Sequence, residues 1–126
     1  DERQARLAAL FVDWGIPTAE ALIQVRQAVP EMMVFASGGL RNGVEVAKCL
    51  ALGATLAGMA GPLLKAAAQS AEEAVATIGE ICRQLQVTMF ACGAGDLAQL
   101  RQTPLLAAQG IAPQIYIAGR LVEDGP

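Results

Sequence analysis

Two short apolar runs, residues 32–36 and 55–59, each lead into a glycine-bearing turn and then a helix start. This repeat constrains the chain more than any other feature. Both runs have the length of strands buried on two faces. Ser37-Gly38-Gly39-Leu40-Arg41-Asn42-Gly43 follows the first, and Ala60-Gly61-Pro62 follows the second. Strands that alternate with helices pair in parallel through right-handed crossovers, so the chain is α/β. Two strands, or three if an extended stretch near residue 12 is counted, can neither close a barrel nor cover their own edges. The missing strands are therefore expected from a preceding segment or a partner chain.

Helix signals fill the space between. Residues 2–10 place Leu7 and Leu10, with Phe11 beyond, at helical spacing, and Asp13-Trp14-Gly15-Ile16-Pro17 breaks the pattern. Thr18 reads as an N-cap for a helix through Leu22 and Val25 that Pro30 stops. Asn42 with Glu45, and Ser70 with Glu73, have capping-box spacing. Gly53 and Gly93 stand where helix C-caps belong, and Pro62 suits a first helical turn. The long helix after Ser70 shows Val75, Ile78, Cys82, Leu85 and Met89 on one stripe. Residues 96–101 suggest one more short helix. The remainder, with Pro104, Gly110, Pro113 and Gly119, reads as irregular apart from a small hairpin at 115–117 and 121–122. The expected division is 1–93 as βα units and 94–126 as a C-terminal helix and tail.

Composition narrows the chemistry. The 126 residues amount to about half of a complete β/α barrel, and 54% are hydrophobic, enough for a core. A net charge of −3 argues against a nucleic-acid or membrane-surface partner. No apolar run reaches the ~18 residues of a spanning helix, and Asp1-Glu2-Arg3 opens an amphipathic helix, not a leader. The start at Asp1 suggests a fragment or a processed chain. Cys49, Cys82 and Cys92 form no CxxC pair, which fits a reduced, cytoplasmic protein. Histidine is absent, so no imidazole base or HExxH zinc site exists in these residues. The cysteines and Met32, Met33, Met59 and Met89 read as inert core residues, Trp14 as a packing residue at a rim, and Glu72-Glu73 as first-turn carboxylates. No catalytic and no metal-ligating residue is assigned.

The glycine turns carry the functional signal. Each lies between a strand's C-terminal end and a helix N-terminus, where backbone N–H groups and the helix dipole favour an anion. Without a Cβ the backbone can approach that anion closely. Gly38-Gly39 could also serve only as a turn, and Arg41 as a solvated side chain; the pairing of two such turns one βα unit apart favours a phosphate.

Phe11-Val12-Asp13-Trp14-Gly15-Ile16-Pro17-Thr18, Ala36-Ser37-Gly38-Gly39-Leu40-Arg41-Asn42-Gly43 and Val46-Ala47-Lys48-Cys49-Leu50-Ala51-Leu52-Gly53-Ala54 together resemble the type 2 isopentenyl diphosphate isomerases. Gly58-Met59-Ala60-Gly61-Pro62-Leu63-Leu64-Lys65 and Met89-Phe90-Ala91-Cys92-Gly93-Ala94 continue the match, which covers roughly residues 6–106. The Trp-Gly-Ile-Pro-Thr element and the Met-Phe-x-x-Gly-Ala ending are the more specific parts. The resemblance implies the C-terminal portion of a (β/α)8 TIM barrel that interconverts isopentenyl and dimethylallyl diphosphate with FMN, NADPH and Mg²⁺. It implies that Gly38, Gly39, Leu40 and Arg41, with Ala60 and Gly61, hold the FMN phosphate. Substrate and Mg²⁺ ligands belong to earlier strands that these residues do not match, so the 126 residues alone are expected to be inactive. A homo-oligomer, an octamer by resemblance, is also implied. Two rival readings are an α-hydroxy-acid oxidase, whose catalytic histidine would lie upstream, and a non-catalytic half-barrel that dimerises.

Overall fold

Local caps set most of the helix boundaries. In the computed structural model, which describes residues 1–107 and 114–122, Asp1 caps α1 (Glu2–Ala9) by accepting from the Arg3 amide. Asn42 accepts from the Glu45 amide and opens α3 (Gly43–Ala51). Ser70 does the same with Glu73 for α5 (Ala71–Ala91), and Asp96 with Gln99 for α6 (Leu97–Leu100). Such caps satisfy donors that the first helical turn leaves without partners. Pro62 lies in the first turn of α4 (Gly61–Ala67). Gly53 and Gly93 follow α3 and α5 with φ of +97° and +73°, the left-handed conformation that stops a helix.

Thr18 departs from expectation. It is the first residue of α2 (Thr18–Ala28), whose N-cap is Pro17 with no side-chain cap. The Thr18 hydroxyl is used elsewhere, as described below. The extended stretch anticipated near residue 12 is also not a strand, because residues 10–13 turn tightly through the Phe11 N–H to Ala8 and Trp14 N–H to Phe11 bonds.

The strands are short. β1 (Phe35–Ala36) and β2 (Leu56–Ala57) pair in parallel, Phe35 opposite Leu56 and Ala36 opposite Ala57. The helices pack on one side of this pair, and its strands are not buried on both faces. Ala36 is 3% exposed, whereas Phe35 and Leu56 are 61% and 56% exposed. Met32 and Met33, anticipated in the core, are exposed too, while Met59 and Met89 are half-buried against it. Cys82 and Cys92 are likewise exposed, not core filler, and only Cys49 is buried. Trp14 is exposed and meets Phe11 edge to face, ring centroids 5.8 Å apart.

Among the described residues two clusters form the core. Leu22, Leu40, Cys49, Leu52 and Ala54 surround Ala36, and Ala47, Leu50, Ala94 and Leu100 join α3 to the α5–α6 turn. The small side chains let the layers approach closely: Ala51 and Ala54 are 1% and 0% exposed. Leu100 is the largest fully buried side chain, a site where truncation to alanine typically costs about 2–5 kcal/mol.

The C-terminal segment is more regular than the sequence implies. β3 (Leu105–Ala107), β4 (Gln114–Ile117) and β5 (Arg120–Val122) form an antiparallel sheet in that order, β4 and β5 being the anticipated hairpin. Leu105 and Tyr116 pack on the first cluster. Gly119 lies so near the Leu52 carbonyl and Arg26 that a Cβ there would overlap them. Gly110 and Pro113 lie outside the described residues. Arg101 donates to the Thr55 carbonyl at 3.0 Å. The sheet and Arg101 therefore reach the core from the ends where β1 and β2 begin, opposite the glycine turns.

Candidate functional site

The parallel register decides where the two glycine turns stand. With Ala36 opposite Ala57, the chain leaves β1 at Ser37 and β2 at Gly58 from the same edge. The Gly58 N–H donates to the Ala36 carbonyl at 2.7 Å, which carries the ladder into the turns. A Cβ on Gly58 would sit 3.5 Å from Ser37 Oγ, so the turns begin in contact.

Backbone shape accounts for one pair of glycines. Gly38 and Gly39 have φ of +111° and +76°, conformations unfavourable to any residue with a Cβ. Beyond Gly39 nothing lies within 4 Å of where a Cβ would be, and the same is true of Gly61. The backbone is thus open at both positions, and Gly61 is the first residue of α4, which has no side-chain cap.

Following each amide shows what the first loop can offer a ligand. The Arg41 N–H donates to Glu45 Oε2 at 2.6 Å, and the Gly43 N–H to Gln84 Oε1 at 2.8 Å. The Gly39 and Leu40 amides donate to no acceptor among the described residues. Leu40 itself is 6% exposed, its side chain in the core, so only its main chain can serve a ligand. Arg41, anticipated as a phosphate-facing cation, lies on the surface with its guanidinium 3.1 Å from Glu45 Oε1. The carboxylate of Glu45 is held below its ordinary range by the Arg41 backbone N–H first and the Arg41 side chain second.

Three polar side chains brace this loop, and sequence reading did not single any of them out as site residues. Thr18 Oγ1 donates to the Gly38 carbonyl at 2.8 Å, so the first turn of α2 grips the left-handed segment. Glu45 grips Arg41, and Gln84 of α5 grips Gly43. Glu45 had a signal in the sequence, its capping-box spacing from Asn42, and Thr18 had one as an expected N-cap; Gln84 had none. The Glu45 carboxylate reaches the Arg41 amide, one residue before the expected one. Beside the loop a cavity of about 170 Å³ is lined by Thr18, Gly38, Gly39, Leu40, Glu45 and Lys48, among others. Among the described residues no three His, Cys, Asp or Glu side chains converge as a metal site would require, and no helix is long and apolar enough to cross a membrane.

The arrangement leaves main-chain amides without a described acceptor in the turn before α3, and an uncapped start at α4, groups of the kind that can donate to an anion. The comparisons agree with a flavin protein. Proteins named isopentenyl-diphosphate delta-isomerase from Xanthobacter autotrophicus and Stutzerimonas stutzeri are each 48% identical to this chain, over 103 and 106 residues. These matches cover 82% and 84% of the chain but 30% and 31% of the relatives. A protein of the same name from Synechocystis sp. is 47% identical over 105 residues, 82% of this chain and 30% of the relative. The chain therefore spans about 30% of the length of the curated relatives it matches. The model of a protein family described as FMN-dependent dehydrogenase matches residues 11–107, which include both glycine turns and every loop brace named above. By that match over most of its length, the chain belongs to the FMN-dependent dehydrogenase family.

Proposed function

We propose that these residues are the FMN-phosphate-binding part of a type 2 isopentenyl diphosphate isomerase, the C-terminal portion of a (β/α)8 barrel that interconverts isopentenyl and dimethylallyl diphosphate. The observation that carries this reading is the parallel register, which starts the two glycine turns from one edge of the sheet. The family match and the relatives' shared name support the choice of flavin and reaction.

The residues fit a phosphate. The Gly39 and Leu40 amides have no described acceptor, and neither glycine turn is filled at Gly39 or Gly61. In this reading Gly38, Gly39, Leu40 and Ala60-Gly61 present main-chain N–H groups to the dianion. Arg41 supplies positive charge nearby while Glu45 fixes its position. Thr18 holds the Gly38 carbonyl so that the left-handed segment keeps its shape. Bound reduced FMN would supply the proton-transfer chemistry, with no net redox change; this chain's share is to bind and orient it. Mg²⁺ and the diphosphate substrate would be handled by residues outside this chain, and NADPH would reduce the flavin. We further propose a cytoplasmic homo-oligomer, on the resemblance alone; the face carrying Phe35 and Leu56 would be covered by the remaining strands of the barrel.

Flavin fluorescence tests the reading. Titration of the protein into FMN should quench the emission with saturable binding, and inorganic phosphate should compete. Absence of FMN uptake overturns the proposal. A second assay supplies FMN, NADPH and Mg²⁺ to the 126 residues alone; isomerase turnover there would refute the view that the catalytic groups lie elsewhere.

A further inference from the structure

One brace on the first loop comes from a helix 41 positions away in the sequence. The Gly43 N–H, the first amide of α3, donates to Gln84 Oε1 at 2.8 Å. The approach is close enough that a Cβ on Gly43 would overlap the Ile81 carbonyl, lie 2.5 Å from the Leu85 nitrogen and 2.7 Å from Gln84 Cβ. Gln84 is itself oriented: its Nε2 donates to Glu80 Oε1 at 3.2 Å, which leaves Oε1 as the atom turned to Gly43. Thr88 Oγ1 donates to the Gln84 carbonyl at 2.8 Å, one turn further on.

This contact matters because a helix start has several donors and no acceptors of its own. Within the segment 39–43, Glu45 takes the Arg41 amide and Gln84 takes the Gly43 amide. The amides without a described acceptor there include those of Gly39 and Leu40, next to the left-handed turn. An uncharged amide oxygen meets the Gly43 donor without placing another anion beside a phosphate site.

We propose that Gln84 is a positioning residue for the flavin-phosphate loop: from α5 it anchors the loop's C-terminal end, so that Gly39 and Leu40 keep the geometry their ligand requires. The inference rests on the reading that this loop holds the FMN phosphate. It adds a residue that touches no ligand and whose helix serves otherwise as packing.

Two readouts test it in the protein. Backbone amide exchange, followed by NMR, should accelerate about tenfold or more at Gly43 in Gln84→Leu, since the donor loses its acceptor. The same variant should weaken FMN binding about tenfold. Gln84→Glu keeps an acceptor oxygen and should restore the Gly43 protection, while the negative charge it adds beside Glu80 and the phosphate loop keeps FMN affinity below that of the parent protein. Met89→Ala, which truncates a side chain packed on the second core cluster, should lower the melting temperature and leave FMN affinity in place. Unchanged Gly43 exchange in Gln84→Leu, or equal loss of affinity in Met89→Ala, overturns the proposal. Protein that takes up no FMN at all overturns the reading beneath it, while the exchange comparison still decides whether Gln84 anchors the loop.

Discussion

The sharpest test of the site compares two glycines that the fold treats alike. Gly39 and Gly93 have φ of +76° and +73°, and neither has any atom within 4 Å of where a Cβ would stand. Alanine at either position therefore meets the same backbone penalty and no steric one. A left-handed residue with a Cβ costs about 1–2 kcal/mol. Reduced freedom of the unfolded chain returns about 0.4–1 kcal/mol. Each variant should thus lose about 1 kcal/mol, or a few degrees in the melting temperature of a chain this size. Binding should separate them. Gly93 ends α5, while the Gly39 amide is one of the proposed phosphate donors. Losing or displacing one charge-assisted hydrogen bond costs about 1.5–3 kcal/mol, about 10- to 100-fold in Kd. Thermal unfolding followed by circular dichroism measures the first quantity, and flavin fluorescence titration the second. If Gly39→Ala and Gly93→Ala bind FMN equally well, or lose it equally, the loop's role as a phosphate cradle is refuted.

Three further outcomes follow from the same geometry. Gly43→Ala should destabilise the fold by about 3 kcal/mol in chemical denaturation, because its Cβ would strike the backbone of α5 and not a flexible side-chain end; an unchanged midpoint would show that α3 and α5 part easily. Glu45 is held below its ordinary 4.5, so its contribution to stability is present above that value and is lost as pH falls through its lower folded pKa. Melting temperature measured from pH 6 downward should show that loss, and Glu45→Gln should abolish this part of it. Burial first, and the Glu45 charge second, raise the Cys49 thiol, so iodoacetamide at pH 8 should label Cys82 and Cys92 well before Cys49 by mass spectrometry.

Helix ends were legible in the sequence because their causes are local. Asn42 and Ser70 cap the Glu45 and Glu73 amides, and the glycines at 53 and 93 stop α3 and α5, all across a few residues, although the Glu45 carboxylate turns to Arg41 instead of Asn42. Burial was not legible, because it depends on what covers a surface. Residues 32–36 have the composition of a two-sided buried strand, yet Phe35 is open while its neighbour Ala36 is enclosed. On α5, Ile78 and Cys82 fit the apolar stripe, but they border a cavity of about 220 Å³ with Met59, Ile81 and Leu85 instead of a filled core. The antiparallel sheet was legible only as a hairpin, since β3 joins it from the far side of residues 108–113.

The site divides in the same way, and the division bears on how it works. Gly38 and Gly39 were readable because a left-handed turn demands glycine whatever surrounds it. Thr18 and Gln84 were not, because their hydrogen bonds span 20 and 41 positions and neither residue type announces its partner. The braces on the first loop come from three helices: α2 holds Gly38, α3 holds Arg41, α5 holds Gly43. The apolar side of the strands is different, with Phe35 and Leu56 more than half exposed. A parallel pair of strands is normally covered on both faces. Contacts from three helices brace the loop, whereas the strand surface behind it calls for a neighbour.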